Sequence, residues 1–193
     1  MFIILQKAIN EPGKNYAHEA DTLDLKINKY DIEIEQQATI LIATRQPLAI
    51  DLRQITSAIK IAVIMERMGD LSKNITRRVS SITEVIHGDV LEDINTMTGI
   101  LIVMLDNILV SIKNMDVNNA LTVIEKDAHV DSLYIALMGK LSGVILKNQK
   151  MTQSMMQLVI AIKNIERIGD YITKVAKILY YIVTGDTITT KAS

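Results

Sequence analysis

The chain has 193 residues, 49% of them hydrophobic, and a formal net charge of −1 from 21 Lys+Arg and 22 Asp+Glu. With no basic excess it lacks the electrostatic footprint of a nucleic-acid or anionic-lipid binder. With no cysteine it cannot form disulfides, thiolate zinc or iron–sulfur sites or carry a cysteine nucleophile, and two prolines with eight glycines give too little turn punctuation for an all-β chain.

An all-α fold is expected, and its elements can be read in order. A short apolar run, Met1–Ile9, leads into Asn10-Glu11-Pro12-Gly13; its opening is too short for a signal-peptide core and no basic segment precedes it. The second pattern spans about Tyr16 to Thr44 and stops before Arg45-Gln46-Pro47. The third runs from about Leu48 to Ile86, where His87-Gly88-Asp89 breaks it and His87 reads as a helix C-terminal residue. The fourth covers Val90 to Lys113 and halts at Asn114-Met115-Asp116. The fifth, Val117 to Leu146, ends in Lys147-Asn148-Gln149-Lys150. The last starts near Met151 and ends at Thr184-Gly185-Asp186, with glycine in the usual stop position. The longest uncharged stretches, Ile94–Leu105 and Met151–Ile162, have 12 residues each, well short of the roughly 18–20 that span a bilayer. A soluble, cytoplasmic chain is the expectation.

The sequence repeats itself. Met65-Glu66-Arg67-Met68-Gly69-Asp70 recurs 100 residues later as Ile165-Glu166-Arg167-Ile168-Gly169-Asp170, and Asp24-x-x-x-Asn28 lies opposite Asp127-x-x-x-Asp131 at an offset of 103. Two tandem three-helix bundles are therefore expected, over residues 1–88 and 89–186, with a polar tail over 187–193. The fourth helix reads about 24 residues long against about nine for its counterpart, the first. That shortening should leave apolar surface on the second and third helices for a partner or a second copy to cover.

The repeated motifs place acids on apolar stripes. The sixth helix reads Met155, Val159, Ile162, Glu166, Asp170; the third reads Leu52, Ile55, Ile59, Val63 or Ala62, Glu66, Asp70; the fifth reads Ile124, Asp127, Asp131, Tyr134, Met138, Leu141. In the second helix Asp24 and Asn28 flank the stripe Leu23, Ile27, Tyr30, Ile34. Paired carboxylates at a core margin need cations, because buried unpaired charge is costly. Arg67 and Arg167, Lys60 and Lys163, or a bound metal are the candidates, and a cysteine-free carboxylate set favours hard ions, iron or manganese over structural zinc. Gly69 and Gly169, each costing about 1 kcal/mol relative to alanine inside a helix, suggest close helix approach or a local bend beside the acids. No phosphate loop, HExxH, GxSxG or ExxH pattern is present and the three histidines share no motif, so no enzyme is expected.

Arg45-Gln46-Pro47 with Asp51-Leu52-Arg53, the two ERxGD-type motifs, Asn74-Ile75, and Tyr181-x-Val183-x-Gly185 together resemble the PhoU family over about residues 15–186. The resemblance implies a cytoplasmic accessory of the high-affinity phosphate transporter. Such a protein restrains phosphate uptake and keeps the starvation two-component response off. Its implied partners are the transporter ATPase and a phosphate-sensing histidine kinase, and a homodimer is implied too. It further implies a multinuclear iron or zinc cluster on Asp24, Glu66, Asp70, Asp127, Asp131, Glu166 and Asp170, supported by Arg67, Gly69, Arg167 and Gly169. Asn28 replaces one acid of that pattern, and Lys174 stands where Asn74 stands in the first copy. A carboxylate-based metal-binding bundle is the alternative to the regulatory adaptor.

Overall fold

A computed structural model describes residues 1–11, 14–82 and 88–188. Among these the chain forms six α-helices: α1 (Phe2–Asn10), α2 (Ala17–Arg45), α3 (Ala49–Ser80), α4 (Gly88–Asn114), α5 (Val117–Lys147) and α6 (Thr152–Thr184), with a 3-10 turn at Gln149–Met151. The boundaries follow local chemistry. Pro47 follows α2, whose last carbonyls are met by Gln46 in the left-handed region, φ 47°. Asp116 caps α5 by accepting from the Asn119 amide at 3.1 Å. Gly185, φ 83°, closes α6 with its N–H on the Tyr181 carbonyl. The third helix ends at Ser80 rather than Ile86. Ser81 turns its hydroxyl onto the Arg78 carbonyl at 2.6 Å and so competes with continued helix. His87 lies outside the described residues.

Two helices form the spine. α3 and α6 pack along each other; α2 lies on α3, α5 lies on α6, and α4 packs against α5 and α6. α1 packs on α3 and α4, where Leu5, Ala8 and Ile9 are fully buried. Its last residue is fixed to α4 by a reciprocal amide pair, Asn10 and Asn95, at 2.9 and 2.7 Å. α6 is the most deeply set element, with Leu158, Ile162, Ile165, Ile168, Ile172, Val175 and Leu179 at the centre of the core. By length and composition α4 and α5 each hold a stretch apolar enough to cross a membrane, although charges interrupt every run longer than 12 residues. α4 buries Ile94, Met97, Leu101, Met104 and Ile108 in this core.

The repeats differ where the first helix is short. α4 has 27 residues against nine for α1. α4 covers the inner faces of α5 and α6, whereas the matching stretch between α2 and α3 stays open as a hollow of about 370 Å³, lined by Ile27, Ile34, Ile61 and Met65 with Ile112 of α4 at its edge. α2 accordingly buries only Ala20, Asp24 and Ala38. Leu25, Tyr30, Ile32, Ile40 and Leu41 on α2, with Leu48 and Ile50 at the start of α3, are exposed.

Candidate functional site

Apart from Asp24, the acids lie at the margins of the helix faces, not along their centres. On α5 the buried line is Ala120, Val123, Val130, Leu137 and Leu141. The phase expected from Ile124, Asp127 and Asp131 is displaced because the aliphatic residues take the contact with α4 and α6. On α3 the buried residues are Ser57, Ala62, Met68, Gly69, Ser72, Ile75, Thr76 and Val79, while Leu52 is 38% exposed. On α2 the expectation is reversed: Asp24 is 5% exposed while Tyr30, placed on the stripe, is 64% exposed. With only α3 to pack on, α2 turns Ala20 and Asp24 inward. Asp131 and Asp170 are exposed, as are Arg67 and Arg167; Glu66, Asp70, Asp127 and Glu166 are half-buried.

In the first repeat the cation is neither Arg67 nor Lys60. Lys73 reaches from α3 between two carboxylates, donating to Asp24 Oδ2 at 2.6 Å and to Asp70 Oδ1 at 2.8 Å. Burial works against its charge, but these two bonds outweigh it and raise its pKa. Asp24 Oδ1 and Asn28 Oδ1 remain buried without partners. Glu66, one turn along, is held above the usual carboxylate range by burial first, then by Asp70, Asp31 and Asp24. The sequence signal for Lys73 was an Asp-x-x-Lys step, Asp70 to Lys73.

The second repeat has no lysine at that place. Thr173 stands where Lys73 does and gives its hydroxyl to the Asp170 carbonyl at 2.9 Å. Lys163 pairs with Glu166, 3.0 Å from both carboxylate oxygens, and lies 4.9 Å over the Tyr134 ring. Asp127 is the odd group: Oδ1 is buried and unpartnered, and the carboxyl is raised to about 7, by burial first and then by Asp131, Asp170 and Glu166. Its seat exists because residue 169 is glycine. A Cβ there would stand 2.6 Å from Asp127 Oδ1, and one at Gly69 would stand 2.9 Å from Ile27 Cδ1. Both glycines thus admit the neighbouring helix of their own repeat.

These arrangements bear on the implied iron or zinc cluster. In the first repeat the space between Asp24 and Asp70 is taken by an ammonium, so a metal does not fit there without displacing it. In the second, Glu166 is engaged by Lys163. Among the described residues no three carboxylates or imidazoles converge closely enough to hold an ion. The residues as placed do not make a metal cage.

A family model described as the PhoU domain matches residues 1–79 and again 94–179. The chain belongs to the PhoU family. Relatives described as phosphate-specific transport system accessory protein PhoU homologues include one from Caulobacter vibrioides, 33% identical over 87% of this chain and 74% of its own length. Another, from Zymomonas mobilis, is 33% identical over 93% of this chain and 76% of its own length. Among solved structures, PhoU from Streptococcus pneumoniae superposes with TM-score 0.84 at 25% identity, covering 98% of this chain and 90% of that one. PhoU from Pseudomonas aeruginosa gives 0.84 at 24% identity, covering 96% and 92%. The all-α reading with two tandem PhoU repeats and a shortened first helix therefore stands, and the relatives are named as accessory proteins of phosphate-specific transport systems.

Proposed function

We propose that this PhoU-family chain is a cytoplasmic adaptor that restrains high-affinity phosphate uptake and keeps phosphate-starvation signalling off, by contacting the transporter's ATPase subunit and a sensor histidine kinase. The observation that carries the reading is the pair of PhoU domains, matched over 1–79 and 94–179 and shared with relatives named as accessories of phosphate-specific transport. The exposed apolar residues of α2 and the start of α3 support a protein-contact role, including self-association as a homodimer, because a partner could cover side chains that the chain itself leaves open. Deleting the gene and following phosphate uptake and a starvation-gene reporter in phosphate-rich medium tests it. Both should rise, and co-purification should recover the ATPase or the kinase. Uptake and reporter output unchanged by the deletion would refute the reading.

A further inference from the structure

The hollow between α2 and α3 has a filled counterpart in the second repeat. A shift of 103 residues carries Ile34 of α2 onto Leu137 of α5, and a shift of 100 carries Ala58 and Met65 of α3 onto Leu158 and Ile165 of α6. Leu137, Leu158 and Ile165 are buried, whereas Ile34 is 36% exposed, Ala58 is exposed and Met65 is half-buried. The element that makes the difference is α4, which lays Val90, Ile94, Met97 and Leu101 into the second core at steps of i, i+4, i+7 and i+11. The paired glycines show the same contrast. A Cβ at Gly169 would lie 3.3 Å from Leu101 Cδ2 of α4, while at Gly69 the three nearest atoms all belong to Ile27 of α2. The first groove therefore has the form that receives one helix with an aliphatic stripe of about three turns.

Charge at the rim of the groove differs between the copies, and in one direction. In the second repeat the rim carries two lysines. Lys163 of α6 pairs with Glu166 at 3.0 Å and lies over the Tyr134 ring, and Lys140 of α5 meets Asp93 of α4 at 2.6 Å. The first repeat has Val63 in place of Lys163, Gln37 in place of Lys140 and Asp31 in place of Tyr134. Asp31 lines the hollow beside Met65. Its charge acts on Glu66, the next residue along α3, together with Asp70 and Asp24, and Arg67 acts on Glu66 more weakly than these three. Lys73 is committed to Asp24 and Asp70. Among the described residues no ion pair reaches Asp31 or Glu66. A helix with the acids of α4 would meet this rim with like charge. A second copy presenting the same face would set hollow against hollow and acid against acid. A basic helix complements both the shape and the charge.

We propose that the hollow between α2 and α3 is the docking site for a single basic amphipathic helix of a partner protein, its aliphatic stripe against Ile27, Ile34, Ala58 and Met65 and a Lys or Arg delivered to Asp31 and Glu66. The proposal rests on the adaptor reading above in taking the occupant to be part of another protein; the shape and charge of the groove do not.

Three synthetic peptides of about 20 residues, enough for about five turns, test this on the full chain. One has leucine at the α4 steps and lysine on its flanks, one has glutamate in place of lysine, and one has the basic composition scrambled so that no stripe forms. Fluorescence anisotropy should show saturable binding of the basic amphipathic peptide that weakens as salt rises and is about tenfold or more tighter than for the other two. Ala58→Arg puts a long cationic side chain where the partner's would lie and should abolish binding. Asp31→Asn with Glu66→Gln should weaken it about tenfold, and Glu125→Gln on α5 should leave it unchanged. Ala58 and Glu125 are exposed, and the paired amides keep the side-chain shapes, so the variants should fold. Equal binding of all three peptides, no saturable binding, or binding that survives both Ala58→Arg and the double neutralisation overturns the site. A dimer in sedimentation that Ala58→Arg dissociates also overturns it, because a second copy then fills the hollow. If no peptide binds while gene deletion still derepresses uptake, this inference alone fails. If the basic peptide docks as described but deletion changes nothing, the adaptor reading fails and the docking site stands.

Discussion

Asp127 gives the fold a pH dependence whose sign and size follow from its surroundings. Its carboxyl is raised from 3.8 to about 7, first by withdrawal from water and then by the charges of Asp131, Asp170 and Glu166. A folded-state pKa above the unfolded one means the native protein holds the proton more tightly. The contribution to stability is therefore fully present below about 3.8 and is lost as pH rises through about 7. At about 1.36 kcal/mol for each pH unit the interval sets a ceiling of roughly 4 kcal/mol. Asp127 is only half-buried, so solvent screening brings the expected effect to about 1–2 kcal/mol. Asp127→Asn keeps the side-chain shape and removes the charge. In urea unfolding followed by circular dichroism with a chelator present, the native chain should lose about 1–2 kcal/mol between pH 5 and pH 8 relative to the variant. The variant should then be the more stable of the two at pH 8. A variant that is less stable at pH 8, or one whose pH slope matches that of the native chain, would refute the argument that a buried charge sits there with too little compensation from Lys177.

Other substitutions separate the two repeats. Lys73→Met strands Asp24 as a buried unpaired carboxylate and should cost about 2–3 kcal/mol, below the usual penalty for breaking a buried pair because Lys73 keeps some exposure. Adding Asp24→Leu should restore most of it, and denaturant unfolding of the four proteins in a double-mutant cycle reads the coupling. Gly169→Ala drives a methyl group against the Asp127 carboxylate and should lower stability by about 1–2 kcal/mol despite the gain in helix propensity. Gly69→Ala makes its one tight contact with the flexible Cδ1 end of Ile27 and should be close to neutral, so a thermal melt that ranks the pair in the opposite order contradicts the packing described. In native-state hydrogen exchange, amides over residues 30–45 of α2 should exchange well before the central amides of α5, since α2 has support on one side alone.

What could be read from sequence and what could not divide along physical lines. Helix number and order were legible because glycine, proline and capping residues mark each end: Pro47, Asp116 and Gly185 all terminate or start helices where their chemistry requires. The repeat was legible because residues 65–70 and 165–170 nearly coincide. Helix phase was not. Ile124-Asp127-Asp131 and Ala120-Val123-Val130 both satisfy helical spacing on α5, and only the packing of α4 against α6 decides which one is buried. The burial of Asp24 was hidden for a related reason. A stripe of Leu23, Ile27, Tyr30 and Ile34 predicts the inward face of α2 only if a third helix stands on that side, and α1 is too short to supply it. Lys73 was missed because it lies one turn beyond the repeated motif, where the two copies diverge.

That divergence bears on how a duplicated bundle can acquire distinct functions from one template. The spine helices keep the same acids and the same glycines at the same steps, so the backbone approach in both repeats is fixed in common. The differences fall on the residues that answer the conserved groups. Where one copy has Lys73 the other has Thr173, which leaves Asp24 and Asp70 bridged by a cation in the first margin and Asp127 Oδ1 without a hydrogen-bond partner in the second. Where one end of the α3–α6 contact has Gln157 with Arg78, the other has Ser57 with Ile178, which closes one end and opens a cavity at the other. A strictly symmetric bundle would have two equivalent margins and two equivalent ends. This one has one acidic margin where threonine replaces lysine, and one end of the α3–α6 contact left open. A substitution at Thr173 that supplied a lysine should therefore quiet the second margin, lowering the pKa of Asp127 toward the usual carboxylate range, as read by side-chain NMR titration. An unchanged Asp127 titration in Thr173→Lys would show that the two margins differ by more than this one residue.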